Sequence, residues 1–331
     1  MARLVVTGGA GYVGSITSRA LVEAGHDVVI IDNLRTGFRE AAPAPLVVAD
    51  VRDRATVTAV LRDHRAEAVL HFAAMSQVGE SMRMPVDYFD CNVGGSVSLL
   101  AAMRDAGVTR FVFSSSAAVY GDPVRLPLDE DHPVLPKSAY GDTKLAVERL
   151  VDWARQGEGL QAASLRYFNA AGAWPDGSIG EAHDPETHLV PLALRAALGT
   201  APALHVFGDD WPTKDGTPIR DYVHVVDLAD AHRLAVEHLL EGHAGGVWNL
   251  GSGAGYTVRE VLDAVALAVG APVPHAVAGR RAGDPVALVA SHARAERDLG
   301  WKPRRTLDEI VATALAWERV RAWGPAKLES R

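Results

Sequence analysis

The stretch VVTGGAGYVG (residues 5–14) decides the fold that we expect for the rest of the chain. Its β-branched residues end a predicted strand, and a Gly-x-x-Gly-x-x-Gly pattern then opens a helix. Gly8 allows the tight turn, Gly11 lets backbone N–H groups approach a pyrophosphate, and Gly14 lets the helix pack on the strand. The helix N-terminus favours the anion. Because such turns also occur as plain connections, the pattern needs support from elsewhere in the chain.

Short apolar runs recur through the first half of the chain, with helical stretches between them. The predicted strands are RLVVT (3–7), DVVIID (27–32), LVVAD (46–50), AVLHFA (68–73), RFVFSS (110–115) and AASLRYFN (162–169). This alternation is typical of βαβ units. It predicts an α/β protein built on a Rossmann-type, doubly wound parallel sheet.

After about residue 170 the sequence becomes richer in Gly, Pro and Asp. Two turn-rich connections follow, GAWPDGSIGEAHDPE and GDDWPTKDGTP, and loops of this length usually shape a site. We therefore expect a first domain over residues 1–170 and a smaller C-terminal α/β lobe over residues 171–331. The chain of this lobe is expected to cross back to the first domain.

Composition limits the kind of protein and its surroundings. The 331 residues are 48% hydrophobic and carry a net charge of -8, with no basic block that could follow a nucleic-acid backbone. Cys91 is the only cysteine, which rules out an intramolecular disulfide and indicates a reducing compartment. The apolar run near the N-terminus is too short for a signal-peptide core or a membrane span. We expect a cytoplasmic, soluble protein without nucleic-acid or membrane partners.

An acidic residue supports a dinucleotide site at the glycine turn. Asp32 ends the second strand, 18 residues after Gly14, where a carboxylate can accept hydrogen bonds from ribose hydroxyls. A carboxylate there repels a 2′-phosphate, so NAD is favoured over NADP, with Arg35 as the opposing signal. The alternative is a turn or capping aspartate. Asp50 and Val51 follow the third strand at the same sheet edge.

The segment SAYGDTK (138–144) places Tyr140 one helical turn before Lys144, on the same face. A phenol is a poor base at neutral pH, but a fixed cation and a positively polarised nicotinamide ring stabilise the phenolate. Ser116 follows the fifth strand and can share a proton with Tyr140. Taken singly, the tyrosine–lysine pair is common on solvated helices, and serines often cap strand ends. Their shared sheet edge favours a catalytic site.

Longer strings resemble the extended short-chain dehydrogenase/reductase family, specifically its UDP-glucose 4-epimerase branch. They are TGGAGYVG, IDN, HFAA, VGES, SSSAAVYG, AYGDTKLAVE, LRYFNAAG, IRDYVHVVDLADAH, WNLGSG and RRAGDP, and the similarity runs to about residue 318. The resemblance implies an NAD-binding first domain and a nucleotide-sugar-binding second lobe. It implies an epimerase that interconverts UDP-galactose and UDP-glucose by transient oxidation to a 4-keto sugar, with NAD kept bound. A homodimer packed through helices near 93–106 and 140–155 is also implied.

The resemblance assigns roles to individual residues. Tyr140 is the base, Lys144 holds the nicotinamide ribose and lowers the tyrosine's pKa, and Ser116 contacts the sugar O4. The expected cofactor-binding residues are Gly8, Gly11, Tyr12, Val13, Gly14, Asp32, Asn33, Asp50, Val51, Phe72, Ala73, Ala74, Asn92, Ser114, Tyr140, Lys144 and Tyr167. The expected substrate-binding residues are Ser116, Asn169, His188, Leu189, Phe207, Arg220, Arg281, Asp284 and Leu288. Arg220 and Arg281 suit a diphosphate clamp, because guanidinium groups bind phosphate in two-point contacts.

Some positions depart from the family's best-known pattern. Ile16 replaces a histidine, Ser76 stands where some members have lysine, and His188 stands where others have asparagine. Leu288 lies where members limited to plain hexoses carry tyrosine and more tolerant members carry something smaller. UDP-N-acetylglucosamine and UDP-glucuronate therefore stay open as alternative substrates.

The residues disfavour three rival functions and a metal site. A nucleotide-sugar 4,6-dehydratase needs an acid–base pair where this chain has Ala117 and Ala118. A dinucleotide-sensing protein has no need of the catalytic tyrosine, and an ordinary dehydrogenase would release its reduced cofactor. His183 and His188 lie five apart, but no acid or cysteine completes a recognisable metal-ligand spacing, so we predict no metal.

Overall fold

The computed structural model describes residues 1–281, 284–321 and 323–324. The strands are Arg3–Thr7 (β1), Asp27–Asp32 (β2), Leu46–Val48 (β3), Ala68–His71 (β4), Arg110–Ser116 (β5), Gln161–Tyr167 (β6), Asn169–Ala171 (β7), Leu204–Phe207 (β8), Ile219–Arg220 (β9), Tyr222–His224 (β10), Val247–Leu250 (β11), Tyr256–Thr257 (β12), His275–Ala278 (β13) and Ala287–Leu288 (β14). The helices are Tyr12–Glu23 (α1), Arg54–Asp63 (α2), Val78–Ser81 (α3), Pro85–Tyr88 (α4), Gly95–Ala106 (α5), Ala139–Glu158 (α6), Leu189–Ala197 (α7), Val225–Leu240 (α8), Val258–Val269 (α9), Ala293–Leu299 (α10) and Leu307–Val320 (α11). Within these ranges, none of the helices has the length and hydropathy that crossing a bilayer requires.

The main sheet has seven parallel strands in the order β11-β6-β5-β4-β1-β2-β3. Val5 lies at its centre, in register with Val29 on one side and Val69 on the other. This order reverses direction at β1, which is the topology of a Rossmann-type sheet. The last strand, β11, comes from the second half of the chain and pairs with β6.

Four predicted strands end differently in the structure, and of these the fifth ends at Ser116, one residue later than predicted. The third and fourth stop at Val48 and His71, two residues earlier than predicted. After His71 the amides of Phe72 and Ala73 both donate to Thr7 O, at 2.8 and 3.1 Å, so the chain bends over the sheet edge instead of extending. The sixth run splits into β6 and β7, and β7 pairs with β10 in a separate small sheet.

Two apolar layers cover the faces of the sheet. Because alternate side chains of a strand point to opposite faces, Leu4 packs with helices α1 and α8, whereas Val5 packs with α2, α5 and α6. Both faces are buried, as is usual for a parallel sheet.

A second core holds the rest of the chain together. It is formed mainly by α7, α9 and α11, with Val190, Val261 and Ile310 among its buried residues. Three small sheets accompany the two cores: β10 with β7, β12-β9-β14, and β13 with β8. Because β7 directly follows β6 and pairs with β10, Tyr222–His224 lies near the carboxyl end of β6.

Candidate active site

The glycine turn has the shape that a phosphate-binding loop requires. Gly8 has a φ of +74°, and an added Cβ there would lie 2.4 Å from Ala73 N. At Gly14 a Cβ would lie 2.2 Å from Gly8 O. Packing within the protein thus requires both glycines. At Gly11, the N-cap of α1, the nearest atom to an added Cβ is 3.4 Å away, so this position is open to a ligand.

Asp32 lies where an adenosine ribose is expected to bind. Its carboxylate accepts hydrogen bonds from Ala10 N at 3.0 Å and Leu34 N at 2.8 Å, and it lines a cavity that we call the Asp32 cavity. Burial raises the pKa of Asp32, although the two backbone hydrogen bonds oppose this shift. The predicted residues that line the Asp32 cavity are Gly8, Gly11, Asp32, Asn33, Asp50, Val51, Phe72, Ala73 and Ala74.

A second cavity adjoins the first and holds the predicted catalytic residues. We call it the Tyr140 cavity. The predicted residues that line it are Gly8, Gly11, Tyr12, Val13, Gly14, Phe72, Ala74, Ser114, Ser116, Tyr140, Lys144, Tyr167, Asn169, His188 and Leu288. Because both cavities include Gly8, Gly11, Phe72 and Ala74, one extended ligand can reach from Asp32 to Tyr140.

Helix α6 presents Tyr140 and Lys144 to this cavity. Ser138 caps the helix by accepting a hydrogen bond from Gly141 N at 3.1 Å, which fixes where the first turn begins. Lys144 Nζ donates to Ser114 O at 2.8 Å and lies 5.8 Å from the centre of the Tyr140 ring. Ser116 lines the same cavity as Tyr140, and its Oγ accepts a hydrogen bond from Ala118 N at 3.2 Å. The structure therefore brings the base, the cation and the hydroxyl together at the end of β5.

The pKa of Tyr140 differs from the value that the resemblance implied. The resemblance implied a lowered pKa for Tyr140, but burial raises it and outweighs the opposing effect of the Ser116 side chain. Burial also lowers the pKa of Lys144 to about 8, against the opposing charges of Cys91 and Glu148. The apolar surroundings thus disfavour charge on both groups, and a positively charged ring beside Tyr140 is needed to favour its phenolate.

Asn92, predicted to face the cofactor, lines neither cavity. Its buried side chain accepts from Met75 N at 2.8 Å and donates to Met75 O at 3.0 Å and to Thr143 Oγ1 at 3.0 Å. Asn92 therefore supports the cavity wall from behind, by joining the turn after β4 to helix α6.

Several predicted substrate residues group beside the Tyr140 cavity without lining it: Leu189, Phe207, Arg220, Arg281 and Asp284. Arg220 is in register with Leu288, which does line the cavity. Its guanidinium donates to Ile219 O at 2.8 Å and Pro285 O at 2.9 Å, and it lies 3.9 Å from Asp284. The Arg281 guanidinium stacks on Phe207 at 4.1 Å from the ring centre.

A buried ion pair that the sequence did not reveal holds α6 against the sheet. Arg166 Nη2 lies 2.6 Å from Glu148 Oε2, and Arg166 Nε donates to Glu148 Oε1 at 2.8 Å. Ser115 Oγ donates to the same Oε1 at 2.5 Å. The sequence shows only that Glu148 lies one helical turn after Lys144, on the same face of α6. Its partner, Arg166 on β6, is set by the tertiary structure.

Two acids, Glu181 and Glu186, lie beside His183 and His188, although no acid was expected to complete a metal-ligand spacing with this pair. His183 and His188 both donate Nδ1–H to Glu181 Oε1, the first at 2.9 Å. Glu186 lies 3.6 Å from His188 Nδ1. The four possible ligand atoms lie within 4.8 Å of one another. The spacing of these four residues along the chain does not match a common metal-ligand pattern, and the fold of the loop brings them together.

Comparison with known proteins identifies the family. A model of the NAD dependent epimerase/dehydratase family matches residues 4–251. The UDP-glucose 4-epimerase of Corynebacterium glutamicum is 50% identical over 318 residues, which cover 95% of each chain. The crystal structure of UDP-glucose 4-epimerase from Brucella ovis in complex with NAD superposes with a TM-score of 0.93 at 45% identity, over 95% of this chain and 98% of that one.

A further solved structure is that of the UDP-glucose-4-epimerase from Stenotrophomonas maltophila, with bound NAD and formylated UDP-arabinopyranose. It is 42% identical to this chain, has a TM-score of 0.94, and is matched over 96% of this chain and 98% of its own. The match extends through both lobes of the fold. The chain therefore belongs to the NAD dependent epimerase/dehydratase family, among its UDP-glucose 4-epimerases.

Proposed function

We propose that this protein inverts C4 of a UDP-hexose, interconverting UDP-galactose and UDP-glucose with NAD as a bound cofactor. The observation that carries the proposal is the joining of Tyr140, Ser116 and Lys144 to the glycine turn in one continuous cavity. The proposal is supported by relatives named UDP-glucose 4-epimerase that are 45% and 50% identical to this chain and align with nearly all of it.

The residues present fit NAD. The turn at Gly11 is open to a pyrophosphate, Asp32 faces the ribose end, and Lys144 and Tyr167 lie at the nicotinamide end. When bound, NAD would supply a reversible hydride acceptor for the sugar C4 and a positive charge beside Tyr140. No net oxidation results, so the dinucleotide has no need to leave between turnovers.

The chain's own residues handle the proton and the orientation of the sugar. Tyr140 takes the proton from the 4-hydroxyl as the hydride leaves C4, and Ser116 hydrogen-bonds the same oxygen. Lys144 holds the first turns of helix α6, which include Tyr140, against the sheet by donating to Ser114 O. The resulting 4-keto sugar would turn about its pyrophosphate link, so that the hydride could return to the opposite face of C4 while Tyr140 gives the proton back to O4. Affinity is therefore best placed in the uridine diphosphate, which leaves the hexose free to turn.

The choice among UDP-sugars belongs to the same proposal. Leu288 lines the cavity and is smaller than a tyrosine, which leaves UDP-N-acetylglucosamine and UDP-glucuronate as alternative substrates. Ala117 and Ala118 line the cavity beside Tyr140, where a 4,6-dehydratase would need an acid and a base. This supports epimerisation over dehydration.

We also propose a homodimer that works in the cytoplasm. Helices α5 and α6 leave apolar side chains exposed on the surface, with Val97 at 49% and Trp153 at 71% exposure. A second copy packed on these helices would cover them. The lone Cys91 suits a reducing compartment.

The central test is to incubate the purified protein with UDP-galactose, without added reductant, and to follow UDP-glucose. We expect an equilibrium mixture of the two sugars and no reduced dinucleotide in solution. Absence of UDP-glucose, with reduced dinucleotide accumulating, rejects epimerisation and favours a dehydrogenase. Parallel reactions with UDP-N-acetylglucosamine and UDP-glucuronate determine the substrate range.

A further inference from the structure

The loop between β7 and α7 brings two carboxylates and two imidazoles together at one point. They belong to Glu181, His183, Glu186 and His188, and one possible ligand atom of each lies within 4.8 Å of the other three. Imidazole nitrogen and carboxylate oxygen are ligands that Zn²⁺ and related divalent metals take from proteins. None of the four side chains takes part in the proton or hydride transfer proposed above.

The distances within this group suit a tetrahedral ion. His183 Nδ1 lies 2.9 Å from Glu181 Oε1 and 3.9 Å from Glu186 Oε1. His188 Nδ1 lies 3.6 Å from Glu186 Oε1 and is hydrogen-bonded to Glu181 Oε1. Bonds of about 2.0–2.2 Å at tetrahedral angles place neighbouring ligand atoms about 3.3–3.6 Å apart. The measured distances lie on both sides of this range, so an ion at the centre requires only small side-chain movements.

Burial makes two neighbouring carboxylates unfavourable unless a cation accompanies them. The side chains of Glu181 and Glu186 are only 5% and 3% exposed. Within the part of the chain that the structure describes, Glu186 Oε2 is buried without a hydrogen-bond partner. Arg195 Nη2 lies 3.6 Å from this oxygen but closer to Glu318, at 2.9 Å. Two carboxylates balance the charge of one divalent cation, which would remove this cost.

Hydrogen bonds and packing fix the loop around the group. Trp317 Nε1 donates to Glu181 O at 2.8 Å, and Gly180 lies so close to the Trp317 ring that an added Cβ would be 2.4 Å from its Cγ. The backbone amides of the two residues after Glu186 donate to its Oε1 at 2.8 and 3.0 Å. Contacts of this kind orient the ligands of a metal ion before it binds.

The loop forms part of the wall of the proposed cofactor site. His183 lines both of the cavities described above, and Asp184 and Pro185 line the first of them. Gln77 Nε2 donates to Pro185 O at 3.2 Å, which ties the loop to the turn after β4. An ion bound by residues at both ends of the loop would therefore fix the wall that the two cavities share.

We propose that Glu181, His183, Glu186 and His188 bind one divalent transition-metal ion, best matched by Zn²⁺, which holds their loop over the cofactor. Zn²⁺ accepts two nitrogen and two oxygen ligands in a tetrahedron, whereas Mg²⁺ and Ca²⁺ prefer six or more oxygen ligands. Both Nδ1 atoms then direct a lone pair at the ion, with the ring hydrogen on Nε2. Because the protein fills all four positions, the ion is structural. Only its effect on the cofactor rests on the proposed function.

The test measures metal binding by untagged protein purified with its bound dinucleotide. After incubation with Zn²⁺ and gel filtration in metal-free buffer, inductively coupled plasma mass spectrometry should find about one Zn²⁺ per chain. Glu181→Gln and His183→Gln should each weaken Zn²⁺ binding by at least about 100-fold, because loss of an outer-shell partner alone costs about 10–100-fold. His275→Gln, at an exposed position of β13, is the matched control and should bind like the wild type.

Two further measurements show what the ion does. Zn²⁺ should raise the Tm of the wild type and of His275→Gln but not of the two ligand variants, because it binds only a folded site. A chelator should speed the release of NAD from the wild type and leave its release from Glu181→Gln unchanged. If the change at the buried Glu181 unfolds the protein, His183→Gln decides the test, since that ring is 22% exposed.

The outcomes separate this inference from the proposed function. A wild type that retains no Zn²⁺, or ligand variants that bind Zn²⁺ as tightly as the wild type, would overturn the metal site. Zn²⁺ retention with chelator-independent release of NAD would overturn the effect on the cofactor. All of these measurements are made without a nucleotide sugar. A protein that binds Zn²⁺ through this loop but leaves UDP-galactose unchanged would therefore refute the proposed function and support the metal site.

Discussion

At the residue scale, the proposed chemistry depends on a buried phenol, Tyr140, whose surroundings oppose its ionisation. Burial raises the pKa of Tyr140, and the Ser116 side chain compensates only in part. A bound cationic ring and the Lys144 ammonium must therefore supply the remaining stabilisation of the phenolate. We therefore expect Tyr140 to be ionised enough to take a proton near neutral pH only when the cofactor is in place, which would couple proton removal to cofactor binding.

Replacing Tyr140 with phenylalanine removes the base and little else. The ring packs with Met75 and Tyr88, and phenylalanine keeps that packing. We expect Tyr140→Phe to lower kcat by about 10²–10⁴-fold, the usual contribution of a positioned acid–base group. Steady-state assays with UDP-galactose, and the NAD content of the purified variant as a control, check this. Unchanged turnover would remove Tyr140 from the mechanism.

Replacing Lys144 with methionine should change activity and stability in opposite directions. Burial lowers the pKa of Lys144 from 10.5 to about 8, so keeping its charge in the folded state reduces the free energy of unfolding. This loss is complete below about pH 8 and becomes smaller as the pH rises toward 10.5. Lys144→Met should therefore lose activity by at least about 10²-fold yet keep or raise Tm at neutral pH.

The Lys144→Met measurement is thermal unfolding of dinucleotide-free protein across this pH range, because bound NAD would stabilise only the folded state. The difference between the variant and the wild type should shrink as the pH rises. A Tm that is lowered most below about pH 8, where Lys144 is charged, would show that the ammonium stabilises the fold and would contradict this account.

At the element scale, the site depends on the registration of α6 against β5 and β6. Three successive turns of the helix contribute: Tyr140 to the cavity, Lys144 to Ser114 O, and Glu148 to Ser115 and Arg166. The first two positions were predicted from their spacing along the helix. Glu148 was missed because a glutamate at this spacing resembles a solvated helix face until its partner on β6 is known.

Removing Glu148 tests this registration. Glu148→Ala leaves the Arg166 guanidinium buried without its partner, and we expect a loss of about 3–5 kcal/mol in unfolding free energy. The double variant Glu148→Leu with Arg166→Met removes both charges and should recover most of that loss, because well-packed apolar pairs replace buried ion pairs at little cost. Urea unfolding measures both. Equal destabilisation of the single and double variants would contradict this account.

At the scale of the whole molecule, the second lobe is not a separate unit attached to the first. Strand β11 returns to the main sheet beside β6, and α8 packs on the same sheet. Segments from both halves of the chain therefore surround the Tyr140 cavity, with the glycine turn and α6 on one side and the Glu181–His188 loop on the other.

The exposed apolar surface on α5 and α6 provides a test of assembly. Trp153→Glu puts a charge at the centre of the proposed dimer contact, where its desolvation opposes association. We expect the wild type to run as a dimer and Trp153→Glu as a monomer with unchanged far-UV circular dichroism, measured by light scattering after gel filtration. A monomeric wild type would contradict the proposed homodimer.

The sequence by itself determined the parallel sheet, the glycine turn with Asp32, and the grouping of Ser116, Tyr140 and Lys144. Each of these follows from a local period, or from the rule that the carboxyl ends of parallel strands share one edge. Only the tertiary structure decided the Glu148–Arg166 pair, the two histidines on Glu181, and the place of Asn92 behind the wall. These contacts join residues brought together by loops and strand crossings, and partners of that kind have no fixed spacing along the chain.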